Sequence, residues 1–390
     1  MPDSPDTLEV TDHLALALVP GLGPKLTAAL LARFGSAGNA LRATPAELRE
    51  IPHIGDTLAS ALAQAFRTVN TASEIELLQK HGVRPVPLGF ADYPPPLARV
   101  PAPPPLLYFR GDWKTEDANA VGIVGSRSCT SYGLKAAGQL ARGLVRAGFT
   151  VVSGLARGID ASAHRGALEG GGRTIAVLAG GLSKIYPPEH KELAEEIAAN
   201  RGCLITETSM RMDPQPGMFP ARNRIISGLS RAIIVVEANA RSGALITAQH
   251  AAEQGREVYA LPGPVDSPAS AGCLQLIRNG ARLVRSADDV IEDLQGLRVD
   301  RRQETGDNRQ ETESRTVARE ERPAPEIAIP PVPELSPTEQ RVFDVLATRR
   351  HADELARELG LAVGELSRTL MLLELKKLVR RLPGNFYERR

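Results

Sequence analysis

Apolar and polar residues alternate in a regular pattern between residues 120 and 298, where short apolar runs are separated by longer mixed stretches. The apolar runs predict strands at Val121–Val124, Thr150–Ser153, Thr174–Ala179, Leu204–Thr206, Ala232–Val236 and Val258–Leu261. The mixed stretches predict helices, among them Leu134–Ala147, Glu189–Asn200 and Ala244–Gln254. Strands that alternate with helices pair in parallel. The pattern therefore predicts an α/β fold, a Rossmann-like and mostly parallel sheet with helices on both faces.

Glycine-rich turns follow three of the predicted strands. They read GSRS from Gly125, SGLARGID from Ser153 and AGGLSKIYP from Ala179. All three lie at the carboxyl edge of the predicted sheet, which is where open α/β sheets bind ligands. Small residues and free backbone N–H groups at such an edge favour an anionic ligand. Neither G-x-G-x-x-G nor G-x-x-x-x-G-K-[ST] occurs in the chain, so a dinucleotide or nucleoside-triphosphate site is not predicted.

Residues 1–83 form a separate predicted domain that contains two copies of one pattern, apolar-Pro-x-apolar-Gly followed by a helix. The copies are Val19–Phe34 and Ile51–Phe66. This pattern is typical of a helix-hairpin-helix, or SAM-like, domain, whose glycine-bearing turn can hold a DNA phosphate. Residues 1–70 contain five basic and seven acidic side chains. Because this balance is acidic, a bundle that only packs is favoured over a DNA clamp.

Three further segments complete the predicted organisation. The Pro-rich residues 84–119 are predicted to dock as a linker along the core, residues 120–298. Residues 299–333 mix opposite charges with few apolar side chains and predict a flexible linker. Residues 334–390 predict a winged helix, with helices Pro337–Ala347, Ala352–Leu359 and Val363–Lys377 and a hairpin turn at residues 383–385. Eleven basic and nine acidic side chains there favour DNA and protein partners equally.

Composition restricts the location and the chemistry. The net charge of +1 does not by itself indicate nucleic acid, and the three cysteines lie far apart without metal-ligand spacing. We therefore expect a reducing, cytoplasmic environment and neither a metal nor a cofactor. The first residues lack the basic and apolar regions of a secretory signal, and no apolar run is long enough to span a membrane.

Local charge is more informative than net charge. Residues 120–230 contain 13 basic and 8 acidic side chains, and part of the excess lies in the turns, at Arg127, Arg157, Lys184, Arg222 and Arg224. A basic groove with an aromatic side chain is what a single-stranded nucleic acid requires, and Phe219 stands beside two of these arginines. The alternatives are that single arginines pair with buried acids such as Asp160 or Glu237, and that Phe219 is a core residue.

Five sequence blocks in this order resemble the DNA processing protein A (DprA, or Smf) family. They are GSR (125–127), SGLARGID (153–160), FPARNRIISGLS (219–230), VVEANARSGALITA (235–248) and GREVYALPG (255–263). The helical repeats and the winged helix resemble the flanking domains of many members, so the resemblance covers nearly the whole chain. It implies a cytoplasmic protein without catalytic activity that binds single-stranded DNA, protects incoming strands during natural transformation and loads the RecA recombinase. It also implies a homodimer formed through the Rossmann-like domain. We expect residues 110–298 to dimerise alone, because the helix after Ser242 and the strand Val258–Leu261 are apolar near the end of the sheet, and an uncovered edge there would be an association surface.

The resemblance assigns the DNA site to the GSR turn and to the FPxRNR region, so that Arg127, Phe219, Arg222 and Arg224 inherit the family's roles. Family members carry a Lys shortly before the FP pair, whereas this chain reads PQPGM there, and Lys184 or Arg211 is expected to substitute. Together with the turns, the predicted DNA-binding residues are Gly125, Ser126, Arg127, Ser153, Gly154, Arg157, Lys184, Phe219, Arg222, Asn223, Arg224 and Ser242. Arg127 and Arg224 are predicted to be the principal phosphate anchors.

The alternative function is a Rossmann-like nucleotide N-glycosidase or another nucleotide-binding enzyme. Such an enzyme needs a carboxylate near the glycosidic bond, and the acids in suitable turns are Asp160, Glu207 and Glu237. Hydrolases of this topology typically show PGGxGTxxE at a helix start, where this chain reads ANARSGALITAQ. Asp160 and His164 could form a catalytic pair, but a capping Asp and a surface His are favoured. The sequence thus favours a binding protein.

Overall fold

The computed structural model describes residues 5–199 and 201–304, and then residues 336–346, 350–361, 366, 369–370, 373, 376, 378–382 and 386–389. The chain divides into two compact units, Met1–Asn308 and Arg309–Arg390. The first unit contains one large sheet together with the helices that cover it and a group of N-terminal helices. The second unit contains a small sheet and short helices.

The sheet of the first unit has nine strands in the order β1-β2-β6-β5-β4-β3-β7-β8-β9. Strands β3 to β9 pair in parallel wherever they are neighbours, and β1 and β2 are antiparallel. The strands are β1 (Val83–Pro87), β2 (Leu106–Gly111), β3 (Ala120–Val124), β4 (Thr150–Ser153), β5 (Thr174–Val177), β6 (Gly202–Thr206), β7 (Ala232–Val235), β8 (Glu257–Ala260) and β9 (Arg282–Leu283). The six strands predicted from apolar runs are confirmed, each within two residues, and so is the mostly parallel sheet.

Two helical layers cover this sheet, because its central strands carry apolar side chains on both faces. In β7, Ile233 and Val235 face one layer, while Ala232 and Ile234 face the other. The first layer contains α7 (Pro95–Ala98), α11 (Met218–Leu229), α12 (Gly243–Glu253) and α13 (Ala271–Arg278). The second contains α8 (Ser131–Arg146), α9 (Ile159–Glu169), α10 (Lys191–Ala198) and α14 (Ala287–Glu304).

The Pro-rich segment 84–119, predicted to dock as a linker, contributes to the sheet itself. Its first strand, β1, pairs with β2, and β2 pairs with β6. Pro85 and Pro87 lack the N–H group that an interior strand needs, but β1 lies at the edge of the sheet, where this loss is tolerated. A short helix, α7, also interrupts the segment. The expectation of a linker failed because proline content does not distinguish an edge strand from a loop.

The other edge of the sheet also differs from expectation. We predicted that the strand near Val258–Leu261 would form an open edge and so a dimer surface. In the structure β8 pairs with β9, a strand of two residues, so β8 is an interior strand. The outermost strand carries Leu283, which is 47% exposed. Dimerisation through the core stays a prediction, and the exposed edge available to it is β9.

Six helices precede the sheet: α1 (Pro5–Leu18), α2 (Pro24–Phe34), α3 (Ala37–Leu41), α4 (Pro45–Leu48), α5 (Asp56–Thr68) and α6 (Ala72–His81). Gly23 and Gly55 cap the N-termini of α2 and α5 with nearly the same backbone angles, φ −82° and ψ 173° against φ −84° and ψ 175°. The two sequence copies therefore fold into two equivalent hairpin turns. Their apolar side chains, such as Leu30 and Leu62, form a core of their own.

The second unit contains α15 (Pro337–Val345), α16 (Ala352–Leu359) and a three-stranded sheet. Its strands are β10 (Arg350–His351), β11 (Val379–Leu382) and β12 (Phe386–Arg389), in the order β10-β12-β11. Val342, Leu355 and Leu373 pack in its core. Most of the helix predicted at Val363–Lys377, and the predicted turn at 383–385, lie outside the described residues. The flexible linker was predicted at 299–333, but α14 continues to Glu304, and residues 305–333 lie outside the described residues. The domain boundaries stay predictions.

Candidate nucleic-acid interface

A cleft opens at the carboxyl edge of the parallel sheet, next to β3. Strand β3 lies between β4, the next strand along the chain, and β7, a later strand. The strand order therefore reverses at β3. Such a reversal leaves a crevice between the loops on either side. The cleft has a volume of about 490 Å³ and is lined by the loop after β3, the start of α11 and the turn before α12. A smaller cleft of about 30 Å³ adjoins it, below the loop after β5.

The loop after β3 is held by its backbone, which leaves the side chain of Arg127 free. The N–H of Ser126 donates to the carbonyl of Glu237 at 2.7 Å, and the carbonyl of Ser126 accepts from the N–H of Ile159 at 3.3 Å. Gly158 packs against this loop with a φ of +75°, and a Cβ atom there would lie 2.8 Å from the carbonyl oxygen of Arg127. Only glycine fits this contact without strain.

Arg127 is exposed and lines both clefts. Among the residues that the structure describes, it forms no ion pair with a carboxylate. Its guanidinium lies over the ring of Phe219, with its central carbon 4.7 Å from the ring centroid. Phe219 is the second residue of α11, where the following Pro220 is tolerated in the first turn. An arginine and an aromatic ring therefore meet at the boundary of the two clefts.

Arg222 has a different role from the exposed Arg127, because it is 5% exposed and forms the floor of both clefts. Its guanidinium donates to the carbonyl of Gly154 at 2.7 Å and also to the carbonyl of Val177. These carbonyls lie at the ends of two neighbouring strands, so Arg222 ties β4 and β5 together. Burial lowers the pKa of Arg222, but the group stays charged at neutral pH.

Arg224 points away from both clefts. It donates to the carbonyl of Ala102 at 3.0 Å and forms an ion pair with Glu207, and both side chains are largely buried. Glu207 rather than Glu237 is thus its partner. The helical period explains the difference, since residue 224 lies about 200° around α11 from residue 222. Its predicted role as a phosphate anchor does not agree with this position, whereas Arg127, the other predicted anchor, is exposed in the cleft.

We predict that Arg224→Ala lowers thermal stability and leaves the DNA affinity of the folded protein within about twofold of wild type. The substitution removes a partly buried ion pair and a hydrogen bond to Ala102, which together contribute on the order of 1–3 kcal/mol. Calorimetric melting and fluorescence anisotropy with a labelled single strand measure the two effects. A variant that melts like wild type but binds DNA tenfold more weakly would restore Arg224 as an anchor.

Two further cations border the smaller cleft in exposed ion pairs. Arg157 pairs with Glu189, and the Nζ atom of Lys184 lies 3.2 Å from the Oδ1 atom of Asp213. The side chains of Lys184 and Asp213 are 77% and 71% exposed. Exposed pairs of this kind contribute little stability. Both cations are therefore only weakly held by their carboxylates. Arg211, the other candidate to replace the missing Lys, is exposed but lines neither cleft.

The remaining predicted site residues shape the cleft. Ser153 is fully buried and its hydroxyl donates to the carbonyl of Ile123 at 2.6 Å, so it supports the fold rather than a ligand. Gly154 is required because a Cβ atom there would overlap the guanidinium of Arg222. Asn223 donates to the carbonyl of Gly243 at 3.2 Å, and the hydroxyl of Ser242 accepts from Ala244 at the start of α12. Gly125, Ser126, Asn223 and Ser242 all line the larger cleft.

The three carboxylates considered for catalysis are engaged in structural contacts. Asp160 accepts from the N–H groups of Gly154 and Ala156 at 3.2 and 3.3 Å, and burial raises the pKa of its carboxyl group. Glu237 accepts from the backbone and the hydroxyl of Thr130 at 2.8 and 2.5 Å. Glu207 holds Arg224, and burial raises its pKa. Each carboxylate therefore fixes a turn or an arginine.

The structure also corrects the interpretation of His164, which we expected at the surface. His164 is fully buried in α9, and its Nδ1 atom lies 2.7 Å from the hydroxyl of Thr174. Burial lowers its pKa to about 3, so the ring is neutral. Asp160 does accept hydrogen bonds from a turn, but from the turn after β4 rather than as the cap of α9. The described residues also contain no group of three or more side chains suited to a metal ion.

One aromatic residue at this site, Tyr186, was not among the predicted site residues. Tyr186 lines the smaller cleft beside Phe219, in the loop after β5. The sequence does contain an indication of it, because Tyr186 lies near the end of the glycine-rich turn AGGLSKIYP.

Taken together, tandem helix-hairpin-helix turns precede a Rossmann-like sheet that carries a cation-lined cleft, and a small unit with helices and a three-stranded sheet follows in the chain. These features define a multidomain nucleic-acid-binding protein, and comparison with known proteins agrees. The model of the family described as DNA recombination-mediator protein A matches residues 86–295. A DprA winged helix domain matches residues 323–385, and a SAM-like helix-hairpin-helix tandem matches residues 14–68. The chain belongs to the DNA recombination-mediator protein A family, known as DprA or Smf.

Individual relatives extend this match over most of the chain. Protein Smf of Synechocystis is 37% identical over 97% of this chain and 98% of its own length. The X-ray structure of DNA processing protein A from Streptococcus pneumoniae superposes with a TM-score of 0.65 at 32% identity, over 75% of this chain and 98% of that chain. A structure of DNA processing protein A from Helicobacter pylori, described for its single-stranded DNA binding mode, has a TM-score of 0.50 at 29% identity, over 55% of this chain and 96% of that chain.

Proposed function

We propose that this protein binds single-stranded DNA, without strong sequence specificity, along the carboxyl edge of its Rossmann-like core. The observation that carries the proposal is the exposed guanidinium of Arg127, which lies over the ring of Phe219 and pairs with no carboxylate among the described residues. A cation beside an aromatic face matches the two parts of a nucleotide, a phosphate and a base. The Helicobacter relative, whose structure concerns single-stranded DNA, supports the same ligand class.

The charge around the clefts supports an extended anion rather than a single small one. Arg127, Arg157 and Lys184 are exposed, and Arg222 adds a buried positive charge at the floor. Burial lowers the pKa of Arg222, and the positive charge of Arg127 lowers it further, because the two guanidinium groups repel each other. The negative charges of successive phosphates would offset the repulsion between these cations, and the uncharged bases would contribute stacking on aromatic side chains.

We further propose that the protein acts as a recombination mediator, which protects incoming strands during natural transformation and loads RecA onto them in the cytoplasm. Membership in the mediator family supports this role. We also propose a homodimer formed through the Rossmann-like core. Every helix within the described ranges is too short or too polar to cross a lipid bilayer.

We predict that the full-length protein binds a single-stranded oligonucleotide more tightly than a duplex of the same length. Stacking on an aromatic side chain requires an unpaired base, and duplex bases are already stacked on one another. Fluorescence anisotropy titrations at several salt concentrations measure this preference. The log–log salt slope for the single strand should be about −0.7 per phosphate neutralised.

The control in this experiment is Arg127→Ala, which should weaken single-strand binding and leave any duplex binding by the flanking domains unchanged. Equal affinity of the wild-type protein for both ligands, or an equal loss for both ligands in the variant, would contradict the proposed site.

A further inference from the structure

Tyr186 stands out among the tyrosines of the chain by its position and exposure. Four of the six tyrosines are buried in a core: Tyr93, Tyr108, Tyr259 and Tyr387. The two exposed ones are Tyr132, at 54%, and Tyr186, at 43%. Single exposed apolar side chains are common and need no explanation. Tyr186, however, lies on the rim of the smaller cleft, whereas Tyr132 lines neither of the two clefts of the DNA site.

The ring of Tyr186 continues the run of groups that begins at Arg127. Its centroid lies 6.3 Å from that of Phe219, and the two ring planes are inclined by 59°. Phe219 in turn contacts the guanidinium of Arg127, as described above. Lys184 precedes Tyr186 by two residues, and the pKa of Arg157 is raised mainly by Glu189 and further by the Tyr186 hydroxyl beside it. Two aromatic rings are therefore flanked by cations at both ends.

We propose that Tyr186 is a second base-stacking residue of the DNA site, which extends the path of the strand from the loop after β3 to the loop after β5. This inference rests on the proposed function. In such a path the phosphates lie on Arg127 at one end and on Lys184 and Arg157 at the other. Aromatic rings accept any base, because every base has a π face, so the extension adds affinity without sequence specificity.

The inclination of the two rings adds a geometric consequence. Bases stacked on planes that differ by 59° cannot remain stacked on each other, so the strand must unstack or turn between Phe219 and Tyr186. A flexible single strand can do this, whereas a duplex resists it because of its stiffness. Tyr186 thus contributes to the preference for single strands as well as to affinity.

The test compares four variants of the full-length protein in anisotropy titrations with a single-stranded oligonucleotide. Tyr186→Ala should lower the affinity about 5- to 150-fold, which is the cost of about 1–3 kcal/mol for the loss of one stacked base converted at 1.4 kcal/mol per factor of ten. Tyr186→Phe keeps the ring and should bind within about twofold of wild type. Tyr132→Ala, the matched control, removes the other exposed tyrosine and should also bind like wild type. Arg127→Ala, which should bind more weakly, tests whether the strand binds at this site at all.

The salt dependence separates stacking from a phosphate contact. If Tyr186 stacks on a base, Tyr186→Ala keeps the salt slope of the wild type, whereas a lost phosphate contact reduces the slope by about 0.7. A reduced slope would overturn the stacking role. Wild-type affinity of Tyr186→Ala, alongside weak binding by Arg127→Ala, would overturn the inference and leave the proposed function standing. Wild-type affinity of both variants would overturn both.

Discussion

Arg127→Ala is expected to weaken single-stranded DNA binding by roughly tenfold or more while the protein stays folded. A charge-assisted hydrogen bond contributes on the order of 1.5–3 kcal/mol, and 1.4 kcal/mol corresponds to a factor of ten. The lower end of that range applies because Arg127 is exposed to solvent. Its side chain forms no ion pair among the described residues and contacts a ring that is itself at the cleft, so its removal costs the fold little.

The measurement is anisotropy of a labelled single strand, with circular dichroism melting as the check on folding. Arg146→Ala is the matched control, since Arg146 is an exposed arginine near the end of α8 that lines neither cleft of the DNA site. Arg127→Lys should recover only part of the affinity, because an ammonium group lacks the planar fork that fits phosphate oxygens. If Arg127→Ala binds single-stranded DNA with wild-type affinity, Arg127 is not the principal phosphate anchor.

Arg222→Leu is expected to destabilise the folded core by roughly 3–5 kcal/mol, the cost of removing one partner from a buried charged network. The substitution leaves the carbonyls of Gly154 and Val177 without their donor, and it removes the positive charge that offsets the burial of Asp160. The ends of β4 and β5 lose the group that ties them together. DNA binding falls as a consequence, because both clefts lose their floor.

Equilibrium unfolding in urea measures this effect, and Arg222→Lys is the control that retains the charge. Lys can reach a carbonyl but cannot bridge two of them in one plane, so its stability should be intermediate. An Arg222→Leu protein that is as stable as wild type but does not bind DNA would show that Arg222 contacts the ligand directly. We therefore expect the loss of Arg127 to lower DNA affinity without affecting the stability of the fold, whereas the loss of Arg222 lowers stability and, as a consequence, DNA affinity.

The sheet could be predicted because its central strands are buried on both faces. Runs such as Ala232–Val236 are continuously apolar and β-branched, and few other structures explain them. Strand β1 could not be predicted in the same way, because its prolines and its edge position produce a sequence that resembles a loop. Strand β2 reads LLYFRG and is an interior strand, but the prolines that precede it led us to expect a linker. The carboxyl-edge cleft followed from topology, since the glycine-rich turns after parallel strands must meet at one edge.

The roles of individual arginines were harder to predict, because charge alone does not give the orientation of a helix. The apolar residues Ile225, Ile226 and Leu229 mark the buried face of α11, and Arg222 lies three and four residues before the first two. This helical spacing places Arg222 on the buried face and Arg224 off it. This spacing is visible in the sequence, but arginines are rarely buried, so we expected the side chain of Arg222 to be exposed.

DNA binding at the carboxyl edge of the sheet is tested most directly by photochemical cross-linking of the full-length protein to a single strand that carries 5-iodouracil, followed by mass spectrometry of the linked peptides. This base reacts with aromatic side chains that stack on it. We expect cross-links in the peptide that contains Phe219 and in the peptide that contains Tyr186, and a marked loss of both in Arg127→Ala. Cross-links confined to the N-terminal hairpins or to residues 336–389, with none at the carboxyl edge of the sheet, would contradict this expectation.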